Sequence, residues 1–201
     1  MNISRIHKIL GLLMLLPLVA WCATGAVFLV KPGYQGAYEM ISPKLYEIEE
    51  NISIQPQDDW LDARLLRTVL GYHLLVKTPQ ESLHLDPISG KVRALPSDKE
   101  IAQLLRDAVS ANNARYGEIL EGEGSSYSTS TGVSLTLDWQ NLRISQYGRD
   151  TWLIDTLYKV HYLQWLGNSS ANKVLGVLGL VLLLLLVSYG FTLYLSRRAK
   201  A

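Results

Sequence analysis

The chain has 201 residues, of which 48% are hydrophobic and 18% are charged, and its formal net charge is +1. This balance gives no indication of a nucleic-acid partner, and we expect none. The single cysteine, Cys22, excludes a disulfide within the chain.

The first predicted element is a transmembrane helix over residues 9–30, a segment without any charged side chain. A helix needs about 20 apolar residues to cross a hydrocarbon core of roughly 30 Å. The alternative is a cleaved signal peptide, with Arg5 and Lys8 as its basic start and residues 23–25 as its cleavage site. The apolar part of a signal peptide has about 7–15 residues, so the length favours a transmembrane helix.

The next predicted element is a helix over residues 58–71, capped by Asp58 or Asp59, ended by Gly71 and carrying an apolar stripe. Three strands are predicted to follow, at residues 72–78, 82–86 and 91–95. In the second of them polar and apolar side chains alternate, and His84 lies on the polar face. His73 lies in the first strand. The alternation is typical of a strand face that points to solvent, which argues against a metal or catalytic role.

Ser97 and Glu100 have the spacing of a capping box, which predicts the start of a second helix. Residues 117–132 are rich in Gly, Ser and Glu and predict a loop. Apolar and polar side chains alternate in residues 133–137 and 142–147, which predicts an antiparallel pair of strands around a turn.

A helix is then predicted over residues 150–166, followed by a second transmembrane helix within the uncharged residues 174–196. Aromatic side chains with polar tips concentrate at the membrane–water interface. We therefore predict an interfacial helix whose membrane-interface residues are Trp152, Tyr158, Tyr162 and Trp165.

The charges are segregated along the chain. Residues 31–173 hold all 18 acidic residues against 14 Lys and Arg, a net charge of −4, whereas the two ends hold five basic residues and no acid. Basic residues collect on the cytoplasmic side, so both termini are predicted inside and the middle outside. The predicted divisions are a cytoplasmic tail (1–8), a transmembrane helix (9–30), an outer domain (31–149), an interfacial helix and linker (150–172), a second transmembrane helix (173–196) and a cytoplasmic tail (197–201).

The predicted fold class is an α+β membrane protein, in which two transmembrane helices flank a domain of short antiparallel sheets packed with helices. No GxGxxG, P-loop or HExxH pattern is present, and neither catalytic residues nor a metal site is predicted. We lean towards a protein that is not an enzyme.

The turn containing Asp86, Pro87 and Gly90 resembles the PepSY signature, in which a strand ends in Asp-Pro-x-(Ser/Thr)-Gly-(Lys/Glu)-Val. The segment 5–11 and the segment 157–190 are similar to the first and second helices of PepSY-associated transmembrane proteins. Many members of that family have four or more spans. With two, this chain looks like a minimal member.

The resemblance implies a bacterial inner-membrane protein with a periplasmic PepSY-like domain. Some members are b-type haem proteins that pass electrons across the membrane, for example to reduce ferric siderophores. Haem b is therefore the possible cofactor, and His7 and His161 match the family's histidine positions as candidate ligands. Other PepSY domains resemble peptidase propeptides and are thought to restrain peptidases or to sense envelope ligands.

The topology separates His7 from His161 by the bilayer core, on the order of 30 Å, so they cannot bind the same haem within one chain. The first hypothesis is therefore an anchored accessory or regulatory subunit that binds the lipid bilayer and a protein partner or envelope ligand. The second is a haem-b electron-transfer subunit for iron uptake, acting as a homodimer or in a larger complex. The third is a factor that supports assembly of a larger membrane complex.

Overall fold

The structure is a computed structural model that describes residues 3–199, except for the side chain of Glu121. In chain order its elements are α1 (Ile3–Val30), α2 (Tyr34–Ala37), β1 (Asp62–Thr68), β2 (Gly71–Lys77), β3 (Ser82–Leu85), α3 (Asp98–Val109), a 3₁₀ turn (Ser110–Asn112), α4 (Asn113–Tyr116), β4 (Ile119–Glu123), β5 (Ser126–Thr129), β6 (Ser134–Asp138), β7 (Arg143–Tyr147), α5 (Arg149–His161) and α6 (Ser169–Arg198).

The chain forms two compact units. The helix unit comprises Met1–Tyr34 and Trp152–Ala201, within the described residues. The central domain comprises Gln35–Thr151. The predicted α+β class, with long apolar helices at the two ends of the chain, is confirmed.

In the helix unit, α1 packs against α6. Both helices are long and apolar enough to cross a membrane, and only 11% and 6% of their most apolar windows are buried. A core helix of a soluble protein would be mostly buried, so these apolar surfaces need a different surrounding, and a lipid bilayer provides one.

The first sheet of the central domain is antiparallel, in the order β1-β2-β3. The helix predicted over residues 58–71 is wrong, because this stretch forms β1 and the turn into β2. Its apolar spacing suits a helix or a strand, and pairing with β2 decided between them. Gly71 has a φ of 91° and closes the two-residue turn instead of ending a helix. The third predicted strand, at 91–95, reduces to a single bridge between Leu85 and Val92.

The second sheet has the order β4-β5-β6-β7. The predicted loop at 117–132 is wrong, because it contains the β4–β5 hairpin. Glycine and serine made the segment resemble a loop, but Tyr127 and Thr129 alternate inward along β5 and are buried. Gly122 is also required there, since a Cβ at that position would lie 2.5 Å from the Tyr127 ring. The strand pair β6–β7 is confirmed.

Helix α3 covers the core of the central domain. Its predicted capping box is confirmed, because Glu100 accepts hydrogen bonds from the backbone N–H and the hydroxyl of Ser97. Ile101, Leu104 and Leu105 are fully buried against residues from both sheets. The central domain therefore has a hydrophobic core of its own.

Candidate functional site

The candidate site of the helix unit lies where α5 ends. The N–H of Gln164 donates to the carbonyl of Lys159 at 2.8 Å, and the N–H of Leu163 donates to that of Val160 at 3.3 Å. Leu163 between them is left-handed, with a φ of 53°. These three features define a Schellman motif, which ends the helix at His161, five residues before its predicted end at residue 166.

Leu163 occupies the position at which a Schellman motif usually has glycine. Its side chain is only 4% exposed, and it packs so closely on α6 that a Cβ at Gly179 would lie 2.8 Å from it. A left-handed leucine costs about 1 kcal/mol, whereas burying a leucine side chain gains roughly 1.5–3 kcal/mol. Packing against Gly179 therefore outweighs the backbone strain.

His161 is held at this helix end by residues of α1. Its Nδ1 lies 2.8 Å from Oγ1 of Thr24, which is buried, and its backbone carbonyl accepts a hydrogen bond of 2.7 Å from Nε1 of Trp21. The Phe28 ring meets the imidazole edge-on at a centroid distance of 5.1 Å. These contacts fix both the position and the tilt of the ring.

The contacts also determine the tautomer of His161. The Thr24 hydroxyl donates to the carbonyl of Ala20 at 2.6 Å, so its oxygen accepts from the imidazole, and Nδ1 of His161 carries the hydrogen. In the neutral ring, Nε2 then keeps its lone pair. Donation of Nδ1–H to a fixed oxygen is how proteins orient an imidazole that binds a metal through Nε2.

A cavity of about 410 Å³ adjoins His161, with mostly apolar walls formed by Trp21, Leu163, Leu180 and Leu183. A second, more polar cavity of about 650 Å³ shares Tyr162 and Gly176 with it. An imidazole with a free lone pair therefore lines an apolar cavity beside the helix pair.

His7 lies near the other end of the helix pair. Its Nδ1 donates to the backbone carbonyl of Leu186 at 3.2 Å, which again leaves Nε2 as the free nitrogen. Gly190 makes room for the ring, since a Cβ there would lie 3.0 Å from Cε1 of His7. Along α1, His7 and Thr24 are separated by 17 residues, or about 25 Å at 1.5 Å per residue. The structure thus does not bring His7 and His161 together.

The four aromatic residues predicted at a membrane interface differ in exposure. Trp152, Tyr162 and Trp165 are each at least half exposed. Tyr158 is partly buried and stacks on Phe28 of α1 at a centroid distance of 4.4 Å. Tyr158 therefore serves packing inside the helix unit, and the other three are available to an interface.

In the central domain, the turn after β3 is built around Asp86. Its Oδ1 accepts from the N–H of Ile88, and from the N–H and hydroxyl of Ser89. These hydrogen bonds hold the pKa of Asp86 below its ordinary value. Pro87 is buried within the turn, and Gly90 supplies its positive φ of 66°.

This turn and the residues that follow it present apolar side chains to solvent. Ile88 is 77% exposed, Val92 71% and Leu95 56%. We call residues 86–95 the apolar turn segment. Large side chains displayed together in one short segment are typical of a contact surface for a partner.

The expected solvent-facing position of His84 is wrong. His84 is 3% exposed and His73 is fully buried. In the antiparallel register His84 pairs with Leu75, so His73, two residues earlier on β2, is its diagonal neighbour on the same face. The alternation suggested one solvated face, but β6–β7 covers that face, which only the tertiary structure reveals. Among the described residues no group of three or more metal-ligating side chains occurs.

The chain was compared with known protein families. The family model described as PepSY-associated TM region matches residues 4–201. The comparisons with curated proteins and with solved structures found no match.

Proposed function

The chain belongs to the family of PepSY-associated transmembrane proteins, and on that premise we propose that it is a membrane-anchored PepSY protein whose central domain binds a protein partner or an envelope ligand. The apolar turn segment carries this proposal. Its side chains are exposed although the domain has a complete core of its own. Covering an exposed apolar surface on a hydrogen-bonded turn with a partner is favourable, because apolar area is removed from water.

The proposed setting is the bacterial inner membrane, with both termini in the cytoplasm and the central domain in the periplasm. Five basic residues at the chain ends and the net charge of −4 between them support this orientation. The proposed boundaries are residues 9–30 and 173–196 for the spans, 31–149 for the periplasmic domain and 150–172 for the interfacial region.

Co-purification tests the partner. The full chain, isolated in a mild detergent from its native membranes, is expected to retain a stoichiometric protein or small-molecule ligand. The variant Ile88→Ser/Val92→Ser is expected to lose it. Leu61→Ser is the matched control, because Leu61 is 66% exposed elsewhere in the same domain. A wild-type chain that purifies alone, or a partner retained equally by the double variant, contradicts the proposal.

A second candidate function is a haem-b electron-transfer subunit. The observation that favours it is that His7 and His161 each donate Nδ1–H to a fixed oxygen and keep Nε2 free. Bound haem would supply one-electron chemistry at iron. His7 and His161 would each hold a haem through Nε2, together with a side chain from another copy of the chain or from a partner subunit.

Visible spectroscopy of the detergent-purified chain tests this second function. A dithionite-reduced spectrum of b type, weakened in His7→Ala and in His161→Ala, would support it. Thr24→Val should weaken the signal less than His161→Ala, because Thr24 only orients the imidazole. A colourless protein from haem-replete cells excludes this function.

A further inference from the structure

Two buried histidines of the central domain take no part in the proposed function. Nδ1 of His73 lies 2.9 Å from Nε2 of His84, and the ring centroids are 5.0 Å apart. His73 is fully buried and His84 is 3% exposed. Every ring nitrogen of the pair has a hydrogen-bond partner, as buried polar atoms require.

The hydrogen bonds of the pair have one consistent direction. Nδ1 of His84 donates to the carbonyl of Trp139 at 2.7 Å, because a carbonyl can only accept. Nε2 of neutral His84 therefore accepts from Nδ1–H of His73, and Nε2 of His73 accepts from the hydroxyl of Thr68 at 2.7 Å. The Thr68 oxygen in turn accepts from the N–H of Leu70. When both imidazoles are neutral, every hydrogen in this chain of bonds has an acceptor.

The pair joins the two sheets of the central domain. His84 belongs to β3, and Trp139 lies in the turn between β6 and β7. Two further hydrogen bonds lie at the same junction. Nε1 of Trp139 donates to the carbonyl of Arg93 at 3.3 Å, and the side-chain amide of Gln140 donates to the carbonyl of Ser82. We call these contacts the sheet latch.

A proton added to the pair disrupts this pattern. On Nε2 of His84, the new hydrogen opposes Nδ1–H of His73. If His73 changes tautomer to accept it, or if the proton is added to Nε2 of His73 instead, that nitrogen becomes a donor and the Thr68 hydroxyl hydrogen loses its acceptor. Each arrangement leaves a charged imidazole in the interior, and an uncompensated buried charge is costly.

The surrounding charges add to this cost. Among the residues that the structure describes, the charged group acting on both imidazoles is Arg93, whose guanidinium lies 5.8 Å from the Trp139 ring. The carboxylates of Asp86 and Glu100 act on Arg93. Burial lowers the pKa of His73 to about 3, and Arg93 and His84 act in the same direction. Burial also lowers the pKa of His84, although its bond to the Trp139 carbonyl opposes the shift.

We propose that His73 and His84 make the sheet latch acid-sensitive, so that the junction between the two sheets loosens as the pH falls through the ordinary titration range of histidine. This device is independent of any partner. The unfolded or opened chain takes up protons below a pKa of about 6.5, while the closed pair takes them up only at lower pH. Stability is therefore complete above that pH and declines below it. At pH 5, His73 alone lowers the closed-to-open equilibrium by about 30-fold if opening exposes it fully.

Hydrogen exchange of the full chain in detergent tests the latch. After correction for intrinsic rates, protection of residues 82–85 and 139–147 is expected to fall by about tenfold or more between pH 7.5 and pH 5. In His73→Leu/His84→Asn the pH response should disappear, because neither new side chain titrates and the introduced amide still offers a donor to the Trp139 carbonyl. Glu123→Gln, a matched loss of an exposed ionisable group in the same domain, should keep the response.

Equal protection at the two pH values in the wild type overturns the proposal, as does a double variant that keeps the response. Because the double variant could fail to fold, ¹⁵N spectra of the imidazoles in the wild-type chain provide an independent check. Hydrogen on Nδ1 of both rings is expected at pH 7.5, and a neutral His73 ring is still expected at pH 5. A charged His73 ring at pH 5, or hydrogen on Nε2 at pH 7.5, would falsify the latch.

Discussion

Leu163 combines an unfavourable backbone with a favourable side-chain environment. The Schellman motif at the end of α5 needs a left-handed residue, and glycine would meet that need without strain. Leucine adds a buried side chain in contact with α6 at Gly179. The residue thus ties the helix end that carries His161 to the helix pair.

The stabilities of the alanine and glycine variants at Leu163 are expected to follow an unusual order. Leu163→Ala loses the buried side chain and keeps the strain, at a cost of about 2–5 kcal/mol. Leu163→Gly loses the same packing but relieves the strain, and it should be about 1 kcal/mol more stable than the alanine variant. Thermal unfolding in detergent measures both.

The control for this order is Leu178 in the interior of α6, which is 50% exposed. There the glycine variant should be the less stable one, by about 1 kcal/mol, because helical backbone favours alanine. The same order at both positions would contradict the role assigned to the backbone of Leu163.

At the scale of elements, α1 and α6 approach each other through small residues. Gly179 is buried between Leu163 and the Trp21 ring, and Gly190 lies against His7. Without a hydrophobic driving force between helices in lipid, close packing is a main source of their association. These glycines therefore set the helix–helix distance in the helix unit.

Gly179→Ala is expected to destabilise the helix unit by about 1–3 kcal/mol, since its Cβ would lie 2.8 Å from Leu163. Gly25→Ala is the matched control, because no atom lies within 4 Å of a Cβ at that position. It should be neutral, or stabilising by up to about 1 kcal/mol through helix propensity. Thermal unfolding of both variants in one detergent makes the comparison, and equal losses would argue against close packing at Gly179.

At the scale of the whole molecule, two apolar helices flank in sequence a domain with its own core. The charge distribution predicts that both chain ends lie on one side of the membrane and the domain on the other. A long domain crosses the membrane largely regardless of its charge, so the predicted orientation rests mainly on the basic residues at the two chain ends.

Cysteine labelling tests this orientation. Cys22 is the single cysteine, so Cys22→Ala provides a background without thiols. On that background, Ile88→Cys should react with a membrane-impermeant maleimide in intact cells with a permeabilised outer membrane. Arg198→Cys should react only after the inner membrane is lysed. The opposite pattern would reverse the orientation.

Local patterns were sufficient for several features. Residues 9–30 and 174–196 are uncharged over the length of a span, and no neighbouring element is needed to recognise them. The capping box at Ser97 and Glu100 and the turn around Asp86 depend on hydrogen bonds between residues two to three positions apart. The sequence therefore predicted the membrane helices, the start of α3 and the turn that resembles the PepSY signature.

What the sequence by itself determined was thus local: two apolar helices, the segregation of charge and the short hydrogen-bonded motifs. The tertiary structure alone decided that residues 62–68 form a strand, that His73 and His84 are buried together, and that Thr24 holds His161. The physical reason is that pairing and burial depend on which surface covers a residue. His84 is covered by Trp139, 55 positions away in the chain, and His161 is held by Thr24, 137 positions away.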